Sequence, residues 1–269
     1  MRSRPRLKRA GDVPSRSSLI VRLTTLAMIR ALRRQFDAVR LSGGIPMEAC
    51  AGRPVIVCAN HPSWWDPAMY FLLGSLFPAY RRGFGPMDAA SLARYPLLER
   101  AGLFGVDARD PRSIGRFLRT GKAILADPRS MLWIAAQGRF SDARQRPVAL
   151  RPGVAHLACL TENPVVLPLA LEYVFWNESR PEALARFGEP VFVRASERPK
   201  ELNARIEVAL TQAMDELACE AKSRDPAHFS MLLRGTAGVG GLYDLGRRLR
   251  ALVRGERFDR RHMMEPRRP

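Results

Sequence analysis

Val55-Ile56-Val57-Cys58-Ala59-Asn60-His61-Pro62-Ser63-Trp64-Trp65-Asp66-Pro67 is the stretch that decides the fold of this chain. Its first five residues form a short apolar run rich in β-branched side chains, which predicts a buried strand rather than a helix. Pro62 and Pro67 then bar a helix from passing through unbroken, so His61 and Asp66 are expected on a turn at the strand's end. A histidine with a carboxylate five residues on can be held in one tautomer and have its imidazolium stabilised. That is what a general base needs to take a proton from a hydroxyl near neutral pH. The same spacing also serves a hydrogen-bonded pair that only shapes a loop, and the residues alone leave both readings open.

Strand and helix patterns alternate on the C-terminal side of this stretch. Ala68–Leu76 is apolar enough for a buried helix, Arg81–Gly85 reads as a short strand or turn, and Ala89–Ala101 as a helix broken by Pro96. Leu103–Val106 is a strand; Asp110 then Pro111 form an N-cap and first-turn proline, with Ile114, Phe117, Leu118 and Ile124 at helical spacing after them. Met131–Ala136 returns to strand, 152–160 to helix, 164–171 and 190–194 to strand, and 199–222 is the longest clear helix. Such alternation predicts an α/β fold, a central mixed sheet covered by helices.

On the N-terminal side, Leu19, Leu23, Leu26, Ile29, Leu32, Phe36 and Val39 recur every three or four residues, with Arg22, Arg30, Arg33, Arg34 and Arg40 between them. The pattern is that of a basic amphipathic helix ended by Ser42-Gly43-Gly44. It suits core packing and a membrane interface alike, and the charge excess favours the membrane. Residues 1–16, rich in Arg, Pro and Ser, read as a disordered basic arm, and 260–269 as a frayed tail. Leu242, Leu245, Leu249 and Leu252 against Arg247, Arg248, Arg250 and Arg254 form a second basic amphipathic segment. The expected division is therefore residues 1–40 as arm and membrane-associating helix, 41–230 as the catalytic domain, and 231–269 as a basic amphipathic tail.

The chain has 269 residues and a net charge of +18. Residues 1–40 hold 11 basic and 2 acidic side chains and residues 241–269 hold 9 and 4, which leaves 24 and 20 between them. A nearly balanced centre with basic ends fits docking on a polyanionic surface, and without aromatic interleaving in those ends no nucleic-acid partner is expected. Cys50, Cys58, Cys159 and Cys219 form no Cys-x-x-Cys pair, and the four histidines are scattered, so neither a disulfide framework nor a metal site is expected. No uncharged stretch reaches the length of a membrane span, and no secretory signal is expected. Walker, dinucleotide and Gly-x-Ser-x-Gly signatures are absent from the sequence.

His61 and Asp66, with Asn60 before and Pro67 after, resemble the first motif, His-(four residues)-Asp, of the glycerolipid acyltransferase family that includes bacterial 1-acylglycerol-3-phosphate acyltransferases. The likeness extends over roughly residues 53–195. Gly102-Leu103-Phe104-Gly105-Val106-Asp107-Ala108-Arg109 is similar to the second motif, with Arg109 one residue later than usual. An arginine there can bind a phosphate or carboxylate of the acceptor bidentately; a solvated loop arginine is the other reading. Ala135-Ala136-Gln137-Gly138-Arg139-Phe140-Ser141 falls where the third motif, roughly Phe-Pro-Glu-Gly-Thr-Arg-Ser, belongs. Gly138 and Ser141 match, Gln137 replaces the acid, and Arg139 takes the threonine position. A neutral Gln cannot orient an acceptor as a carboxylate does, which puts the family's usual glycerol-phosphate acceptor in doubt. Pro168 in Val165–Ala170 stands for the fourth motif.

The resemblance implies a phospholipid-biosynthetic acyltransferase, of the 1-acylglycerol-3-phosphate acyltransferase type, with His61 and Asp66 catalytic and Arg109, Gln137, Gly138, Arg139 and Ser141 binding substrate. The donor is a thioester, acyl-CoA or acyl carrier protein, the acceptor a lysophospholipid-like or other lipid hydroxyl, and no cofactor is needed. Its expected place is cytoplasmic, peripheral on the inner face of the cell membrane. A non-phosphate lipid or glycolipid acceptor is the nearest alternative, and a basic nucleic-acid- or membrane-binding module without catalysis is the alternative of another class.

Overall fold

A computed structural model describes residues 13–235. The residue 1–12 part of the arm, the segment carrying Leu242–Leu252 and the 260–269 tail lie outside the described residues. Among the described residues, nine strands form one mixed sheet in the order β4-β3-β5-β2-β6-β7-β1-β9, with β8 paired to β6. The strands are β1 Ala38–Ser42, β2 Val55–Ala59, β3 Arg82–Asp88, β4 Leu103–Val106, β5 Ser130–Ala135, β6 Val165–Val174, β7 Glu182–Phe187, β8 Val191–Phe192 and β9 Phe229–Arg234. The helices are α1 Ser18–Gln35, α2 Asp66–Gly74, α3 Ala89–Arg94, α4 Pro111–Leu125, α5 Gly153–Cys159 and α6 Pro199–Ser223.

The expected buried strand is β2, at the middle of the sheet between β5 and β6 and parallel to both. All five of its residues are buried because its two faces meet two separate cores. Ile56 and Cys58 pack with α4, α5 and α6, whereas Val55, Val57 and Ala59 pack with α1 and α2. A parallel strand covered by helices on both sides must be apolar throughout, which is why the run reads without alternation.

The sequence places Asp66 on a turn, but it is the first residue of α2. Pro67 does not block the helix there, because a first-turn N–H has no intrahelical partner to lose. The N-terminal helix is also shorter than its periodicity suggests, ending at Gln35. Ala38–Ser42 pairs parallel with β7 and antiparallel with β9, so the sheet extends across the expected boundary at residue 40. Arg40, read as part of a basic helix face, is buried and donates through Nε to Glu182 at 2.9 Å. Burial pushes the Glu182 carboxyl up to about 7 against the pull of Arg40. Pro168 sits mid-strand at no cost to pairing. It falls on β6 between the residues paired with β8 and those paired with β7, where no ladder donor is required.

Of the heptad leucines in α1, Leu32 is fully buried, while Leu19, Leu23 and Leu26 are 64%, 56% and 61% exposed. The helix therefore presents leucines outward, among the exposed Arg22, Arg30 and Arg34. Its start is tied down where the Ser17 N–H donates to the Arg100 carbonyl, beside the exposed Tyr95 and Leu97. Among the described residues, no helix is long and apolar enough to cross a membrane.

Candidate active site

His61 follows β2 on its carboxyl side, the end of an open α/β sheet where ligands characteristically bind. Three sets of bonds fix its backbone. Asn60, 1% exposed, donates through Nδ2 to the Leu171 carbonyl at 2.9 Å and accepts from the Leu171 N–H at 2.8 Å, so its amide continues the sheet onto β6 where β2 ends. The His61 N–H donates to Gln137 Oε1 at 2.8 Å, and the His61 carbonyl accepts from the Ser141 N–H at 2.9 Å. The Ala136 N–H adds a bond to the Ala59 carbonyl at 2.9 Å. The loop after β5 thus clamps the loop after β2 from two sides.

The His61 ring is held as firmly. Its Nδ1 lies 2.6 Å from Asp66 Oδ2, and the Asp66 side chain is wholly buried while that of His61 is 21% exposed. Asp66 also accepts from the Ser63 N–H at 3.3 Å and, on Oδ1, from the Tyr173 hydroxyl at 2.8 Å. With the carboxylate bonded on both oxygens, the imidazole carries its proton on Nδ1 and directs Nε2 away from Asp66. Burial, and then the charge of Asp66, push the Tyr173 phenol well above its ordinary range, so Tyr173 stays a donor. The exposed Phe140 ring lies against the imidazole at a centroid distance of 4.3 Å.

Gly138 makes the second loop possible. Its φ of +64° is left-handed, and a Cβ there would come within 2.5 Å of Arg151 Nε. Arg139 and Phe140 beyond it are exposed, and Ser141 is buried. The structure therefore brings His61, Asp66, Gln137 and Ser141 into one bonded group, with Gly138 and Arg139 in the loop between Gln137 and Ser141.

Arg109 stands apart. It is exposed on the turn after β4, three strands from β2, or about 14 Å at normal strand spacing, and among the described residues only its backbone N–H is bonded, to Asp107. Gln137 also differs from its expected use, because its carbonyl oxygen holds the His61 loop and is occupied before any substrate arrives. Tyr173 was not visible as a site residue in the sequence. The signal available was its place on β6, two residues past Leu171 and so on the same strand face as the partner of Asn60. A cavity of about 460 Å³ lined by Met47, Cys50, Leu76, Phe77, Tyr80 and Arg81 opens at the other end of the sheet, where Cys50 and Arg81 precede β2 and β3.

No protein-family model matches the chain, and no curated protein matches it in sequence. Among solved structures it is similar to the 1-acyl-sn-glycerophosphate (LPA) acyltransferase PlsC from Thermotoga maritima. The identity is 18%, the alignment covers 73% of this chain and 79% of that one, and the TM-score is 0.51. At that identity the likeness is one of fold. The pilus retraction motor PilT with bound ADP also aligns, at 9% identity over 67% of this chain and 62% of that one, but its TM-score of 0.34 carries no argument.

Proposed function

We propose that this protein is an acyltransferase that moves a fatty acyl group from a thioester to a hydroxyl of a lipid acceptor, with His61 as general base. The observation that carries this reading is the 2.6 Å contact from His61 Nδ1 to a wholly buried Asp66 at the carboxyl end of β2. The PlsC-like fold is in keeping with it. In this mechanism Nε2 takes the acceptor proton as the oxygen attacks the thioester carbonyl. Asp66 stabilises the imidazolium, the thiolate leaves, and no covalent enzyme intermediate forms. The direct test is incubation of the full chain with labelled acyl thioester and a lipid extract, followed by identification of the lipid that gains the chain. A chain that labels no lipid from any thioester refutes the reading.

Arg139 is the residue we assign to an anionic acceptor head group. It lies two residues before Ser141, whose N–H holds the His61 carbonyl, and it is exposed to incoming ligand. Loss of a charge-assisted hydrogen bond costs roughly 1.5–3 kcal/mol, so Arg139→Ala should raise the acceptor KM about ten- to a hundredfold with the donor KM unchanged. A rise in donor KM instead would assign this arginine to the other substrate. Gln137→Glu should leave the His61 loop in place, since a carboxylate oxygen accepts the same N–H.

We also propose that α1 attaches the enzyme to membranes, through Leu19, Leu23 and Leu26 seated among the arginines of its exposed face. Each apolar side chain removed from water contributes roughly 1.5–3 kcal/mol, and each nearby arginine about 1 kcal/mol at an anionic surface. Replacing the three leucines by serine should abolish sedimentation with anionic vesicles. Replacing Arg22 and Arg30 by glutamine should weaken it only at low salt. Unchanged sedimentation of the leucine variant would remove α1 from the membrane.

A further inference from the structure

We infer that the exposed face of α4 is a docking surface for an acidic protein, and that the thioester donor is delivered by acyl carrier protein rather than by free acyl-CoA. This rests on the acyl-transfer reading above. Arg112, Arg116, Arg119 and Lys122 recur along α4 at intervals of four, three and three residues and are all exposed. Ser113, Phe117, Thr120, Gly121 and Ile124 face the core on the opposite side.

The helix contains no carboxylate. The nearest acids in sequence are engaged elsewhere: Asp107 accepts from the Arg109 N–H, Asp110 caps the helix by accepting from the Arg112 and Ser113 N–H groups, and Asp127, just past the helix end, is paired with Arg129. Among the described residues none of the four cations lies within ion-pair distance of an acid. Elsewhere on the surface Arg129, Arg144, Arg146, Arg186, Arg198 and Arg205 each do. Like charges one turn apart disfavour a helix. A stripe that opposes its own helix and meets no counter-charge among the described residues is suited to a partner that supplies one.

Three features choose the partner. The stripe lies along a convex helix for about 15 Å, which matches an extended protein surface better than a nucleotide. Ile114 is its one exposed large apolar residue, and α4 covers the opposite sheet face from α1 and its outward leucines, so a bilayer held by α1 leaves α4 facing solvent. Finally, α4 begins at the carboxyl end of β4, the same sheet end as His61 and about 14 Å from β2, a span that a pantetheine arm can bridge. Carrier proteins are acidic and hold their acyl thioester on such an arm.

The test uses the full chain and its Arg112→Gln/Arg116→Gln/Arg119→Gln variant. Binding of dye-labelled palmitoyl acyl carrier protein is read by anisotropy, and initial rates are measured separately with palmitoyl carrier protein and palmitoyl-CoA. Electrostatic steering raises association roughly 10- to 10³-fold, so the variant should lose carrier-protein binding and kcat/KM on that scale, with the palmitoyl-CoA rate unchanged. Added salt should reproduce the loss in the unaltered chain. Equal loss with both donors, no loss with either, or loss of anionic-vesicle binding in place of carrier binding overturns the inference. A chain that transfers from neither donor refutes the acyltransferase reading, while the anisotropy still decides the docking face.

Discussion

His61→Ala should lower kcat by roughly 10²–10⁴, the usual worth of a positioned general base, with little change in donor KM. The size of the effect follows from the site. Nδ1 is committed to Asp66, and in the described residues Nε2 has no hydrogen-bond partner, so the proposed base function rests on this one atom. The fold should survive, because the ring is partly exposed and lies against Phe140 at the surface rather than in either core. Truncation does remove one partner from a buried carboxylate, although the Ser63 N–H and the Tyr173 hydroxyl still donate to it. His61→Asn separates that cost from the chemistry. Its amide N–H can donate near the Nδ1 position and preserve the buried pair, yet it supplies no base, so it should lose as much turnover as the alanine variant while melting closer to the unaltered chain. Wild-type turnover in either folded variant would sink the mechanism.

Much of this architecture could be read from local chemistry. Asp110-Pro111 marks the start of α4, Pro96 the break after α3, and the apolar run at 55–59 a central strand, because each feature acts within a few residues. What failed depended on distant partners. Residues 38–42 continue the heptad spacing of α1, and only the presence of β7 and β9 on either side makes a strand of them. Arg40 reads as solvent-facing until Glu182, 142 residues on, is placed against it. β7 and β9 themselves carry mixed composition, and neither was expected.

The site divides in the same way. His61, Asp66, Gly138 and Ser141 were legible through a motif whose spacing reflects two loops meeting at the ends of adjacent parallel strands. Gln137 was legible as a position but not as a role, since an acceptor-facing side chain and a loop-holding one have the same sequence. Arg109 was grouped with the rest by a third loop, and the strand order puts it three strands away. Tyr173 lies in an ordinary strand stretch, and only the pairing of β6 with β2 carries its hydroxyl to Asp66.

Asp66→Asn should cost about 10²–10⁴ in kcat, with the protein still folded. In a serine hydrolase triad the corresponding exchange lowers kcat about 10⁴-fold by fixing the wrong histidine tautomer. Here the neighbours favour a different outcome for the amide. The Ser63 N–H and the His61 Nδ1–H both point at Oδ2, so the Asn oxygen belongs there, and its NH₂ then meets the Tyr173 hydroxyl, which can turn and accept. The tautomer survives, and what disappears is the charge that stabilises the imidazolium as the acceptor proton arrives. Tyr173→Phe tests this arrangement. Alone, it strips one donor from a buried carboxylate oxygen and should destabilise the fold by roughly 1–3 kcal/mol, with a fall in kcat much smaller than that of Asp66→Asn. Combined with Asp66→Asn, it removes the group that orients the amide, so the NH₂ can flip towards His61 and kcat should fall further than the two single losses predict. If the double variant is no slower than Asp66→Asn alone, Tyr173 does not orient residue 66. If Asp66→Asn itself turns over at the wild-type rate, no imidazolium forms in the rate-limiting step and His61 is not the base.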